Sequence, residues 1–156
     1  MLTKLQEVRD EGEHGFTLVE LLVVILIIGI LSAIAIPAYL NQRRTAVDAA
    51  TQADLKSIAM EIETMLIQYP DALYVSNAAV SNRNLAVAIS STTPSDNDPK
   101  KIRNTIKLSE GTQVTTVNAN IYSANGYEIK ATNPSGDVSR KGYLYQSNNG
   151  GIVPAP

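Results

Sequence analysis

The chain has 156 residues, with 13 basic and 15 acidic side chains, one histidine and no cysteine. This length corresponds to one domain with an additional segment, and the lack of cysteine excludes disulfides, thiol nucleophiles and thiolate metal sites. A net charge of −2 gives no general attraction to nucleic acid or to an anionic membrane.

A charged N-terminal segment runs directly into a long apolar one. The junction reads Gly15-Phe16-Thr17-Leu18-Val19-Glu20, and no charged side chain occurs from Leu21 to Gln42. An uncharged run of this kind is long enough for a helix to cross the hydrocarbon core of a bilayer, which takes about 20 residues. Glu20 is therefore a carboxylate at the edge of a potential membrane helix. An acid in that position is costly and is a functional candidate by default.

Two residues inside the apolar segment weaken a helix. Gly29 and Pro37 cost about 1 and about 3 kcal/mol in an exposed helix interior. Pro37 has no N–H to donate to the carbonyl of Ala33, so we expect a kink there. Glycine and proline are also common in ordinary membrane helices, which is the simpler explanation for both residues.

After Pro37 the pattern changes from apolar on all sides to apolar on one side. Apolar and small residues recur every three or four positions, which predicts a helix over 41–69 that ends at Pro70-Asp71. The predicted core stripe comprises Val47, Thr51, Leu55, Ile58, Ile62, Met65, Leu66 and Tyr69. The predicted opposite, solvated face comprises Asp48, Asp54, Lys56, Glu61 and Glu63.

The remaining segment, 70–156, is predicted to be a small β-rich head. Four stretches have strand character from alternation, β-branched residues or turn signals: 105–108, 113–117, 127–131 and 142–146. Asn125-Gly126 is a strong hairpin signal, the run 85–89 is too short to be assigned to helix or strand, and 152–156 is expected to be a loose tail. The predicted class is α+β, with a long N-terminal helix packed on a small antiparallel sheet of three or four strands.

The junction at Gly15-Phe16-Thr17-Leu18-Val19-Glu20, ahead of a long aliphatic run, resembles the class III signal of type IV prepilins and their pseudopilin relatives. In that family a prepilin peptidase cuts after the glycine and methylates the new N-terminal residue, and the apolar helix becomes the core of a filament. The resemblance covers residues 1–69 closely and the remainder in outline. It implies cleavage after Gly15, an N-methylated Phe16 and a pilin fold.

The resemblance also implies roles for three further residues. Glu20 of one subunit would neutralise the α-amino group of Phe16, on itself or on a neighbour, and the helix between Gly29 and Pro37 would unwind on assembly. The expected segments are a cleaved leader (1–15), a transmembrane half of the helix (16–40), an amphipathic half (41–69) and the head (70–156).

The implied partners are identical subunits, the prepilin peptidase, the assembly platform and its ATPase, and the cytoplasmic membrane before export to the cell surface. Cleavage would remove two of the 13 basic and four of the 15 acidic side chains, which leaves 11 of each, and also His14. A mature chain without histidine or cysteine lacks the two commonest catalytic side chains near pH 7. We therefore expect neither an enzyme nor a cofactor.

Two features depart from the family pattern. The leader is more acidic than prepilin leaders usually are, and many Gram-negative pilins close a C-terminal loop with a disulfide, which this chain cannot form. The lack of cysteine favours a Gram-positive source.

Alternative interpretations rest on weaker signals. Ala33-Ile34-Ala35 has the A-x-A pattern of an ordinary signal peptidase site, which would make the chain a secreted or anchored binding domain. A type II secretion pseudopilin carries the same N-terminal motif, and Asp96-Asn97-Asp98 is a possible calcium loop without the glycine and distal glutamate of an EF-hand. Lys100, Lys101, Arg103 and Lys107 form a small basic cluster that a DNA-uptake pilin could use to bind phosphates, but without interleaved aromatic residues it is weak evidence for nucleic-acid binding.

Overall fold

A computed structural model describes residues 15–81, 83–91, 102–118 and 126–156. These residues form one α-helix and seven β-strands. The helix, α1, runs from Leu18 to Gln68. The strands are β1 (Tyr74–Ser81), β2 (Asn84–Ser90), β3 (Ile102–Lys107), β4 (Gln113–Asn118), β5 (Glu128–Thr132), β6 (Tyr143–Gln146) and β7 (Gly151–Pro154).

The strands form two antiparallel sheets. The first has the order β1-β2-β3 and the second the order β4-β5-β6-β7. Within each sheet, strands that are consecutive in the chain are neighbours, which is typical of sheets built from hairpins and short connections. The predicted α+β class, a long helix with small antiparallel sheets, is confirmed. The structure adds a second sheet to the single one expected.

The chain divides into two compact units, residues 1–40 and residues 41–156. The core of the second unit lies between one face of α1 and the sheets. The helix contributes Leu55, Ile58, Ala59, Ile62 and Met65, and the rest of this unit contributes Val75, Leu85, Val87, Ile89, Leu108, Tyr127, Ile129, Ala131 and Tyr143. The predicted three-and-four spacing of the core stripe is therefore confirmed at its centre.

Some predictions for the helix faces were wrong. Tyr69 was placed in the core stripe, but it follows the last helical residue and is 45% exposed. Asp48 and Asp54 were placed on the solvated face, but each is only 8% exposed. The physical reason is angular: Asp48 lies three residues before Thr51 and seven before Leu55, so it shares their face of the helix.

Two predictions for the head also need correction. The tail after Gly150 is not loose, because β7 pairs with β6 and Ala155 is buried, with its N–H donating to the carbonyl of Gly142 at 2.9 Å. The run 85–89, which was too short to be assigned from sequence, lies in strand β2. The expected hairpin joins β4 to β5, but Asn118 pairs with Glu128, so the connection is longer than a two-residue turn at Asn125-Gly126.

Candidate processing and assembly site

The predicted cleavage point lies just outside the helix. Gly15, Phe16 and Thr17 precede α1 and have no helical or strand backbone. The Phe16 side chain is 92% exposed. Among the described residues other than Gly15 and its chain neighbours, no atom lies within 4 Å of the position that a side-chain carbon at Gly15 would occupy. Cleavage after Gly15 stays a prediction.

Thr17 and Glu20 close the N-terminal end of the helix. The Thr17 N–H and hydroxyl both donate to Oε2 of Glu20 at 2.9 Å, and the Glu20 N–H donates to the Thr17 hydroxyl at 3.2 Å. This reciprocal pattern is a capping box, which satisfies N–H groups that have no partner inside a helix. A Glu in the first turn also complements the positive end of the helix dipole. Glu20 therefore has a local role in addition to its predicted role in assembly.

The capping role of Thr17 was missed at the level of sequence. The signal was present, since Thr17-Leu18-Val19-Glu20 fits the pattern [ST]-x-x-[DE] ahead of an apolar run. The carboxylate oxygen Oε1 of Glu20 accepts no hydrogen bond within the part of the chain that the structure describes. It is thus available to a further donor while the cap is intact.

The helix continues without interruption through both helix-weakening residues. Gly29 and Pro37 lie inside α1, and a side-chain carbon at Gly29 would meet nothing within 4 Å. The predicted kink and unwinding of this segment remain predictions.

The first part of α1 exposes an unbroken apolar surface. Every large apolar side chain from Leu18 to Leu40 is exposed in the isolated chain. By length and composition α1 is able to cross a membrane. Exposed apolar area of this extent marks a surface that lipid or protein covers.

Several predicted features fall elsewhere. His14, Asp96-Asn97-Asp98, Lys100 and Lys101 lie outside the described residues. Arg103 and Lys107 are exposed on β3, at the edge of the first sheet. Within the described ranges, no group of three or more His, Cys, Asp or Glu side chains is arranged to hold a metal ion.

Comparisons with known proteins give one family and several relatives. Residues 12–36 match the family model for the prokaryotic N-terminal methylation motif. The chain is 32% identical over 81 residues to the type IV major alpha-pilin of Moraxella bovis, across 52% of this chain and 51% of that protein. It is 42% identical over 55 residues to a type IV major fimbrial protein FimA of Dichelobacter nodosus, across 35% of each chain. No solved structure matches the chain.

The matched region spans about half of the Moraxella protein's length and about a third of the Dichelobacter protein's. The start of the exposed apolar helix thus lies within a segment that matches the prokaryotic N-terminal methylation motif. The chain is similar over part of its length to type IV major pilin and fimbrial proteins.

Proposed function

We propose that this chain is the structural subunit of a type IV pilus, cut after Gly15, methylated on Phe16 and polymerised through α1 into a surface filament. The observation that carries the proposal is the junction of a matched methylation motif with an exposed apolar helix that begins at Leu18. The names of the similar proteins, a major pilin and a major fimbrial protein, support it.

The first step is storage of the precursor in the cytoplasmic membrane. Residues 21–42 carry no charge and supply the span that lipid covers. Transfer of this segment into a bundle of identical helices exchanges one apolar environment for another, so hydrophobicity alone does not drive it. An ATPase and a membrane platform therefore have to supply the work of extraction.

The second step concerns charge. Cleavage creates an α-amino group on Phe16, four residues from Glu20. An amine and a carboxylate about 4 Å apart attract by about 4 kcal/mol at an effective dielectric of 20, but removal of both groups from water offsets much of this. The pair is thus better suited to select the register between subunits than to supply affinity.

The third step is adjustment of the helix. Gly29 and Pro37 are the two weak points of the apolar half, because glycine raises the entropy cost of helix formation and proline removes a hydrogen bond. Unwinding between them would lengthen the segment without breaking any contact of the core stripe, whose buried members begin at Thr51.

The test is microscopy of cells that express the protein. An antibody against the head should label long filaments, and mechanical shearing should release the protein in polymeric form. Labelled protein confined to the envelope, or released only as monomer, would contradict the proposal. Short fibres seen only on overexpression, with a function in protein secretion, would instead favour a pseudopilin.

A further inference from the structure

Burial along α1 begins abruptly at one residue. No residue from Leu18 to Val47 is buried, whereas Asp48 is only 8% exposed, and buried positions continue from there to Met65. The first covered position of the helix is therefore occupied by a carboxylate, although an aliphatic side chain is the usual occupant of such a position.

The carboxylate of Asp48 is held by one turn of the head, residues 137–139. Oδ1 accepts hydrogen bonds from the Asp137 N–H (3.1 Å), the Ser139 N–H (2.9 Å) and the Ser139 hydroxyl (2.6 Å), and Oδ2 accepts one from the Val138 N–H (3.1 Å). Hydrogen bonds to a charged acceptor are about twice as strong as neutral ones. We call Asp48 together with this turn the Asp48 clamp.

The turn is shaped to receive this carboxylate. A methyl group at Gly136 would overlap both the Ser139 hydroxyl and Oδ1 of Asp48. Ser139 is fully buried and its N–H donates to Oδ1 of Asp48, while its hydroxyl also contacts the carbonyl of Asn133 at 3.3 Å. Glycine at 136 is thus required by close approach and not by an unusual backbone angle.

The clamp is connected to the rest of the head. Asn133 is fully buried, its N–H donates to the Ser139 carbonyl at 2.7 Å, and its side-chain amide donates to the Glu110 carbonyl at 2.9 Å. Ser109, which precedes Glu110, donates to Asp54, six residues after Asp48 on the helix. Two helix carboxylates are therefore tied to two connected turns.

The helix just before the Asp48 clamp is only weakly stabilised. Residues 41–46 are exposed, and Pro37 removes one backbone hydrogen bond upstream. Helical segments shorter than about 12 to 15 residues are marginal in water without tertiary contacts. Any opening of α1 that starts at its weak upstream half would therefore extend into 41–47 at small cost.

We propose that the Asp48 clamp is the stop at which opening of α1 ends, so that the head stays folded when the preceding helix frays or unwinds. The carboxylate fixes the helix backbone at its first covered turn, and loss of helix beyond this point would leave a buried charge-assisted network without its acceptor. This inference concerns the single chain and does not depend on filament formation.

The test is hydrogen–deuterium exchange of the full-length chain in detergent micelles, followed by mass spectrometry. In the wild-type protein, amide protection along α1 should rise sharply at Asp48. Asp48→Ala should make exchange over residues 48–54 about tenfold faster, the factor for loss of hydrogen bonds to a charged group. Alanine is also the better helix former, so intrinsic propensity alone would change exchange in the opposite direction.

Two further variants separate the clamp from other effects. Gly136→Ala disturbs the turn and leaves the helix sequence intact, and it should move the protection boundary in the same way. Asp137→Ala removes an exposed carboxylate from the same turn but keeps every donor to Asp48, and it should leave the boundary in place. Peptides from β5 and β6 report whether a variant has unfolded as a whole.

Three outcomes would overturn the proposal. In the wild-type chain, the boundary would lie at Pro37 or at Leu55 and not at Asp48. In the Asp48 and Gly136 variants, the boundary would not move. Alternatively, in Asp48→Ala the amides of residues 48–54 would exchange no faster than those of β5 and β6, that is, only by unfolding of the whole head, which would make Asp48 a general stabilising residue without a stop function.

Discussion

The two halves of α1 share one backbone geometry and have opposite surroundings. From Leu18 to Leu40 the apolar side chains are exposed on all sides, whereas from Asp48 to Met65 one face is buried against the sheets and the other is in solvent. The difference shows that helix formation and burial are separate properties in this chain. The apolar surface of the first half has to be covered by lipid or by another protein. The apolar face of the second half is already covered by the chain's own sheets.

This contrast divides the expected effects of substitutions. Changes in residues 15–40 should alter processing, membrane residence and assembly, and they should leave the melting temperature of the head unchanged. Changes in the buried face of the second half should lower the melting temperature of the head and leave processing, membrane residence and assembly unchanged.

Gly15→Ala should abolish processing. The account places the scissile bond after Gly15, so the mutant should remain as uncut precursor in the membrane fraction, with a head as stable as that of the wild type. Mass spectrometry of the membrane fraction checks the first part and thermal melting the second. Normal cleavage of this mutant would count heavily against the proposed processing site.

Substitutions of Glu20 separate its two roles. Glu20→Gln keeps the capping box, since glutamine also fits at this position, but it removes the charge that would pair with the Phe16 amine. Both Glu20→Gln and Glu20→Ala should be cleaved, and both should reduce filament yield by about tenfold or more, equivalent to at least about 1.4 kcal/mol per contact.

Quantification of sheared filaments checks this prediction, with cleavage of the precursor as the internal control. A Gln mutant that assembles like the wild type would show that capping, and not charge, is the contribution of Glu20 to assembly.

Ile62→Ala and Ile67→Ala form a matched pair on one helix. Ile62 is fully buried and Ile67 is 82% exposed, so the first should cost about 2 to 5 kcal/mol in the free energy of unfolding and the second less than about 0.5 kcal/mol. Denaturant titration of the full chain in detergent, monitored by far-UV circular dichroism of the head, measures both. Equal losses would refute the assignment of the core face.

Acid should weaken the head through Asp48. Partial burial acts to raise the pKa of this carboxyl, but the hydrogen bonds from Ser139, Val138 and Asp137 outweigh it, so the pKa lies below its ordinary value. A carboxyl with a lowered folded-state pKa contributes stability above its unfolded pKa of about 3.9, and that contribution is lost as the pH falls through the folded-state pKa.

The stability of the wild-type head should therefore decrease below about pH 4. Asp48→Ala should be less stable at neutral pH and should show a shallower loss in acid, while Asp137→Ala should retain the wild-type slope. The slope of unfolding free energy against pH provides the measurement, and identical slopes for wild type and Asp48→Ala would contradict it.

Tyr127→Phe should have a small effect on the stability of the head. The buried Tyr127 hydroxyl donates to Glu63 at 2.8 Å and lies 3.3 Å from the carbonyl of Ala59, and its removal should cost about 1 kcal/mol. Tyr145→Phe, whose ring lies 5.9 Å from that of Tyr127, is a suitable control for loss of a less buried hydroxyl. A loss above about 3 kcal/mol would mean that the aromatic packing had changed as well.

The helix was predictable from sequence because its signals are local and long. The uncharged run and the three-and-four spacing predicted 16–69, and the structure has Leu18–Gln68. Strands β4 to β6 were also predicted to within about two residues, a usual uncertainty for element ends. The capping role of Thr17 could also have been predicted from the sequence, because its pattern is a recognised one, but it was missed.

The features that sequence could not predict depend on distant partners. Asp48 was predicted to be solvated because it is charged. Its hydrogen-bond donors lie 89 to 91 residues away in the sequence, and no local pattern indicates that they meet it. Strand β7 also depends on a partner, since Gly151–Pro154 is too short to be recognised as a strand without its pairing to β6. Burial of a charged residue is decided by the donors that the fold brings to it.

Processing after Gly15 and export as a filament subunit together define the proposed function. N-terminal sequencing and intact mass of the protein sheared from cells test it most directly. The account predicts a chain that begins at N-methylated Phe16. A chain that begins at Ile36 would make this an ordinary secreted domain, and an intact leader on the sheared protein would equally contradict the account.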